Sequence, residues 1–396
     1  MFSRRTAWSR APNELARAVE AARARGQTIL DLTISNPTAA GLCHDEEVFR
    51  GLGGPEDARY EPHALGMPSA RAEVAAHLER RTPGHAAIDP DHLCLCASTS
   101  EAYAHLLALL CDPDDVVLVP RPGYPLLEYL ARLAGVAVAH YPLLYTGGWH
   151  LDLPGLRACV DAHPRARAIL TVAPGNPTGN YLDDLEIAAL DELCQARGLA
   201  LVVDEVFFAY PLPGAAPRSP LAAPRRCLTF ALDGLSKLAA LPQLKLSWIA
   251  AAGPAPLVRE AMARLELVAD TFLSPATPVQ RALAALLAAA RPLRARISTR
   301  LCDNLATLAT RCAGASVTPL ATRGGWTAIL RLPAIGRDDR SWALDLLAET
   351  SVLCQPGYLT DLDGVHVTTS LLVDPRAFAE GIDRLVTRVD ALASRA

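Results

Sequence analysis

The sequence predicts an α/β fold, with a large domain built on a mostly parallel sheet flanked by helices and a smaller C-terminal α/β domain. Three observations lead there. Short apolar runs alternate with helix-period segments over residues 93–251, the 396 residues suffice for two to three domains of roughly 150 residues each, and no internal repeat or low-complexity tract interrupts the order. The expected division is 1–45 as an N-terminal arm and part of the small domain, 46–285 as the large domain and 286–396 as the small domain.

In chain order, residues 1–26 hold six arginines broken by Glu14 and Glu20 at helical spacing, which reads as a solvated surface helix and not as a targeting presequence. A strand is expected over 28–33 and a loop region over 37–63, where glycine and proline are frequent. Helical periodicity runs over 68–81. The regular part follows, with strands expected at 93–97, 116–120, 136–141, 168–172, 200–204, 228–232 and 246–251. Helices are expected at 100–110, 126–133, 156–162 and 185–197, between the strands. Two long helical patterns follow at 254–280 and 281–311, the second suited to connecting two domains. The remainder predicts strands at 326–331 and 365–371 and helices at 341–349 and 377–393.

Composition excludes several function classes. The chain is 51% hydrophobic and 20% charged, with 38 basic against 42 acidic residues and a net charge of -4, so it is neither disordered nor globally basic enough to hold nucleic acid. Apolar runs such as 282–290 have about half the length that crosses a bilayer. The ten cysteines contain no CxxC pair, only Cys94-Leu95-Cys96, and read as buried apolar thiols in a reducing cytoplasm, with neither a disulfide framework nor a metal site.

One count is sharper. Of the 38 basic residues 36 are arginine, and the only lysines are Lys237 and Lys245. A chain that uses arginine wherever charge suffices keeps lysine where an amine must deprotonate and attack a carbonyl.

Ligands of open α/β sheets gather at the carboxyl ends of strands, and the informative residues fall there. Residues 168–172 lead into Pro174-Gly175-Asn176-Pro177-Thr178-Gly179, the run Leu201-Val202-Val203 ends in Asp204, and the strand at 228 precedes Gly234-Leu235-Ser236-Lys237. Each has a plainer use. Asn-Pro-Thr-Gly is a good turn, a carboxylate ending a strand often caps a helix, and Ser98-Thr99-Ser100-Glu101 serves equally as an N-cap or as an anion site at a helix start.

Taken together in this order and spacing, the asparagine turn, Asp204, Ser236-Lys237 and Lys245 resemble the fold-type I pyridoxal-phosphate enzymes, specifically the class I/II aminotransferases similar to aspartate aminotransferase. The resemblance covers nearly the whole chain, from Ser35-Asn36-Pro37 to the strand at 365–371. It implies that Lys237 holds pyridoxal 5'-phosphate as a Schiff base and moves the proton, and that Asp204 faces the pyridine nitrogen. It further implies that Asn176 bonds the ring 3-oxygen and Tyr124 stacks on the ring, while Ser98, Thr99, Ser100, Ser236 and Lys245 cradle the phosphate. Asn36 and Asn176 are implied to face substrate. Tyr60 is implied to reach the phosphate of a neighbouring subunit, which makes the expected assembly a homodimer with shared active sites.

Three departures from the family pattern bear on function. Lys245 stands where an arginine is usual, giving a point charge without the bidentate fork. Phe207 replaces a tyrosine that donates to the 3-oxygen. Thr368 stands where the family places the arginine that clamps the substrate carboxylate, with Arg323 and Arg121 as possible substitutes. The expected reaction is amino transfer between an amino acid and a 2-oxo acid. A lyase, decarboxylase or cyclase with the same fold and cofactor is the alternative, supported by Thr368.

Overall fold

The computed structural model describes residues 1–81 and 87–395. Its centre is an eight-stranded sheet. In spatial order the strands are Leu93–Cys96, Ser247–Ala252, Thr229–Gly234, Ala200–Asp204, Ala166–Val172, Val116–Arg121, Ala137–Tyr145 and Trp149–Leu151. The pairings from Thr229–Gly234 through to Ala137–Tyr145 are parallel, and Ser247–Ala252 runs antiparallel to both of its neighbours. Strands buried on both faces need continuous apolar runs, and Leu93–Cys96, Ala200–Asp204 and Thr229–Gly234 are buried at every residue.

Helices Thr99–Leu110 and Ala255–Phe272 supply Leu106, Leu107, Val258 and Leu265 to one core, together with Val117, Val202 and Ile249 from the sheet. Helix Asp184–Arg197 supplies Ile187, Leu190 and Leu193 to another, beside Leu118, Ile169 and Leu201. Alternate residues of the strands thus feed two cores, as the period of two requires.

A second sheet of four strands, ordered Thr318–Pro319, Thr327–Arg331, His366–Ser370 and Gln355–Pro356, is antiparallel throughout. Its core takes in Trp326, Trp342, Phe378 and Ile382, and it extends to Phe207 and Tyr210 at the rim of the central sheet. The helix Glu14–Ala24 is capped by Asn13, whose Oδ1 accepts from Ala16 N at 2.8 Å. It packs Val19 against Leu347 and Leu353, and Leu30–Asp31 pairs in parallel with Val352–Leu353.

Three local expectations are corrected. The long helical pattern at 254–280 is two helices, Ala255–Phe272 and Thr277–Arg281, because Leu273 adopts φ 68° and Pro275 follows in the break. The arginine-rich start is helical only from Glu14, with a short 3-10 turn at Arg4–Thr6, and its helix has a buried stripe. The cysteines are not uniformly buried, since Cys43 is exposed and Cys111, Cys159 and Cys302 are half-buried. Among the described residues, no helix is long and apolar enough to cross a membrane.

Candidate active site

The strand directions decide where the chemistry sits. Leu93–Cys96, Val116–Arg121, Ala166–Val172, Ala200–Asp204 and Thr229–Gly234 point the same way, so Ser98, Tyr124, Asn176, Asp204 and Lys237 all follow carboxyl ends on one edge. Ser247–Ala252 runs oppositely, which brings Lys245, just before it, to that edge too.

Asp204 is the last residue of its strand and is buried. The Tyr103 hydroxyl donates to its Oδ2 at 2.9 Å and the Val206 N–H to its Oδ1 at 3.0 Å. Burial pushes its carboxyl up to about 6 against these two donors and the attraction of Lys237.

Lys237 lies in the one-turn helix Leu235–Leu238, where Tyr210 Oη donates to its carbonyl at 2.6 Å. Its Nζ sits 5.0 Å from the Trp326 ring centre and 5.6 Å from that of Phe207. Burial lowers the amine below its ordinary value, with Asp204 opposing. The turn approaches the neighbouring strand closely: a Cβ on Gly234 would lie 2.6 Å from Ser247 Cβ, so only glycine fits.

Asn176 is half-buried, and its Oδ1 accepts from Thr327 Oγ1 at 3.5 Å. Its turn closes through Gly179 N–H donating to Gly175 O at 2.8 Å, with Gly179 at φ 68° and no room for a Cβ beside Thr322. Ser98 caps helix Thr99–Leu110, its Oγ accepting from Glu101 N at 3.1 Å. The Ala97 N–H, one residue before the cap, donates to the Glu101 carboxylate. The cap uses the Glu101 N–H and leaves those of Thr99 and Ser100 at the helix start without an acceptor among the described residues.

The other candidates lie nearer the surface. Ser236 is half-buried, Lys245 is exposed with φ 54°, and Tyr124 and Tyr60 are 51% and 71% exposed. Asn36 is exposed, and its Oδ1 is occupied by Thr38 N and Oγ1 at 3.1 and 2.7 Å. Thr368 is buried in the strand His366–Ser370, opposite Ile329 and Gln355. The two arginines named as substitutes are both exposed, and Arg121 reaches Asp363 at 3.7 Å.

Sequence reasoning missed three parts of this neighbourhood. Tyr103 and Trp326 touch Asp204 and Lys237 through the fold alone. Beneath them, Arg81 bonds Asp233 Oδ2 at 3.0 Å and the Glu205 carboxylate, and lies over the Phe208 ring at 4.3 Å. Glu205 and Asp233 are recognisable as acids next to Asp204 and four residues before Lys237, but nothing in the sequence pairs them with Arg81. The third part is a buried group of Cys94, Cys96 and His105, with Cys96 Sγ 3.5 Å from His105 Nδ1.

The family model for "Aminotransferase class I and II" matches residues 54–372. The chain belongs to this family. As an aminotransferase-family chain it is 26% identical over 339 residues to nicotianamine aminotransferase 1 of Oryza sativa subsp. japonica, covering 82% of this chain and 66% of that protein. To alanine aminotransferase of Mycobacterium tuberculosis it is 30% identical over 264 residues, covering 66% of this chain and 60% of the relative. These matches thus span less than two thirds of the curated relatives' own length. Solved aminotransferase structures share the fold over the whole chain. Alanine aminotransferase from Pyrococcus furiosus superposes with a TM-score of 0.88 at 20% identity, covering 99% of this chain and 100% of that one. A single mutant of Thermus thermophilus aspartate aminotransferase gives 0.84 at 22% identity, covering 98% and 99%. The mostly parallel sheet with flanking helices is therefore the architecture of this family.

Proposed function

We propose that the protein is an aminotransferase that moves an amino group between an amino acid and a 2-oxo acid, with pyridoxal 5'-phosphate attached to Lys237. The observation that carries this reading is that one sheet edge holds a partly desolvated lysine amine and a buried carboxylate that act on one another electrostatically. The residues present suit the cofactor. Lys237 offers an amine with a lowered pKa, Asp204 a buried anion, and the Thr99 and Ser100 N–H groups an anion seat at a helix start. Trp326 Nε1 and Thr369 Oγ1 are also buried without a hydrogen-bond partner among the described residues.

When bound, the cofactor supplies an electron sink for charge developing at the substrate α-carbon. Lys237 is positioned to carry a proton to and from that carbon, and the burial that lowers its pKa favours the free amine such a role needs. Asp204 holds positive charge at the pyridine nitrogen, with Tyr103 fixing its orientation. Asn176 offers its amide to the ring 3-oxygen and Tyr124 lies at the rim to cover the ring. Ser98, Thr99, Ser100, Ser236 and Lys245 take the phosphate. The exposed Tyr60 suits a contact with a second copy, and a cytoplasmic homodimer is part of this reading. Thr368 leaves the substrate carboxylate to groups other than the usual arginine.

The test is hydride reduction of the purified holoenzyme, peptide mapping, and an amino-donor screen followed by absorbance and by 2-oxo acid release. A label at Lys237 with stoichiometric oxo acid is expected. A label elsewhere removes the assignment, and carbon dioxide or an elimination product in place of oxo acid overturns transfer in favour of a lyase or decarboxylase.

A further inference from the structure

Behind the Lys237 turn lies a cavity of about 410 Å³ that shares none of the proposed cofactor residues. Consecutive residues separate the two sides: Phe207 faces the Lys237 amine, whereas Phe208 lines the cavity and carries the Arg81 guanidinium on its ring. Arg80 and Arg81 enter from the end of helix Pro68–Arg81, and Arg291 and Arg294 from one face of helix Leu283–Arg311. Arg81 is committed to Glu205 and Asp233. Among the described residues, Arg80, Arg291 and Arg294 have no ion-pair partner, and the intervening sequence 82–86, Thr-Pro-Gly-His-Ala, contains no acid.

Among the described residues the one carboxylate lining the cavity is Asp233, and it is already engaged by Arg81 at 3.0 Å. Two unpartnered buried atoms sit in the same wall, Arg81 Nε and His77 Nε2. His77 records the field. Burial and then Arg81, Arg294, Arg80 and Arg291 hold it at about 3, so it is a neutral donor or acceptor at every ordinary pH.

Like charges three residues apart on a helix repel, and side chains free in solvent would splay away from one another. Here four arginines line one concavity, Arg81 and Arg294 half-buried and Arg80 and Arg291 exposed, and its volume is in the range of small-molecule sites. Guanidinium forks match carboxylate and phosphate oxygens in geometry as well as charge. We propose that this arginine-lined cavity is a second ligand site that takes a small polyanion, a phosphate ester or a polycarboxylate. The cavity lies against the turn that carries Lys237. Asp233 and Leu238 bracket Lys237 in sequence and both line the cavity, and Arg294 also acts on Tyr210, whose hydroxyl holds the Lys237 carbonyl.

The test uses the holoenzyme at constant ionic strength with pyrophosphate as the phosphate probe and citrate as the polycarboxylate probe. A saturating ligand should raise Tm by about 2–4 °C over chloride and give one binding site per chain by calorimetry. R291E/R294E, which alters two side chains at the cavity mouth and leaves Arg81 with its acids, should abolish both signals while keeping the Tm without ligand and the hydride-trapped lysine. Preference for one probe identifies which anion class fits. Absence of binding by either probe, or binding that survives R291E/R294E, overturns the proposal. So does a variant that loses only its oligomeric state, since the arginines would then serve a subunit contact. None of these outcomes bears on whether Lys237 is the attachment site.

Discussion

Tyr103 Oη donates to Asp204 Oδ2 at 2.9 Å across 101 residues of chain, and both groups are buried. The bond favours the ionised carboxylate against a burial cost that pushes it up to about 6. A hydrogen bond to a charged group is worth about 1.5–3 kcal/mol, roughly one to two pK units.

Tyr103→Phe should therefore raise the Asp204 pKa further and move the acid limb of the kcat profile upward. Turnover at neutral pH is expected to fall about two- to tenfold and to recover in part at higher pH. A pH–rate profile measures this, and an acid limb that stays in place would show that Tyr103 does not support the charge.

Arg81 bridges two buried acids, Glu205 and Asp233, with its side chain 11% exposed. Breaking a buried pair leaves uncompensated charge, which costs about 3–5 kcal/mol. Arg81→Ala should lose that much stability in a denaturant titration, and Arg81→Lys should lose less because one charge is kept. Equal losses for the two would point to packing on Phe208 and away from charge.

Asp233 carries the clearest pH signature. Its folded pKa, about 7, lies above the ordinary 3.8, so the folded state holds the proton more tightly than the unfolded one. Its contribution is fully present below about 3.8 and is lost as pH rises through about 7. In cofactor-free protein, stability should decline over that window, and Asp233→Asn should flatten the slope. A variant with an unchanged slope between pH 4 and 7 would sink this assignment.

Thr368→Arg would place an arginine where the sequence resemblance implies one, and the structure predicts no rescue. Thr368 is buried in an inner strand of the four-stranded sheet, between Ile329 and Gln355. A buried unpaired guanidinium costs several kcal/mol. Thermal unfolding should show a lowered Tm, and donor turnover should not increase. A stable variant with faster turnover would show that the strand can present an arginine to substrate.

Much of the central sheet was legible because buried parallel strands and surface helices impose different hydrophobic periods, as at 200–204 and 184–197. The break after Phe272 was not legible, because the apolar pattern continues past it and only the local backbone at Leu273 stops the helix. Short strands such as Trp149–Leu151 and Gln355–Pro356 also escaped, since two or three residues carry no period.

Within the proposed site, the residue types that the reading uses were legible in the sequence alone. Lysine kept only twice among 38 basic residues, a carboxylate closing an apolar strand, and an asparagine turn are local facts, and the proposed function uses them as nucleophile, anion and ligand loop. Only the tertiary structure decided what surrounds them: Tyr103 on Asp204, Trp326 beside Lys237, Arg81 beneath both, and an arginine cavity drawn from two helices far apart in the chain. The reason is physical. Reactivity types belong to side chains, whereas desolvation and charge pairing depend on neighbours that the crossing of the strands brings together and that no spacing in the sequence encodes.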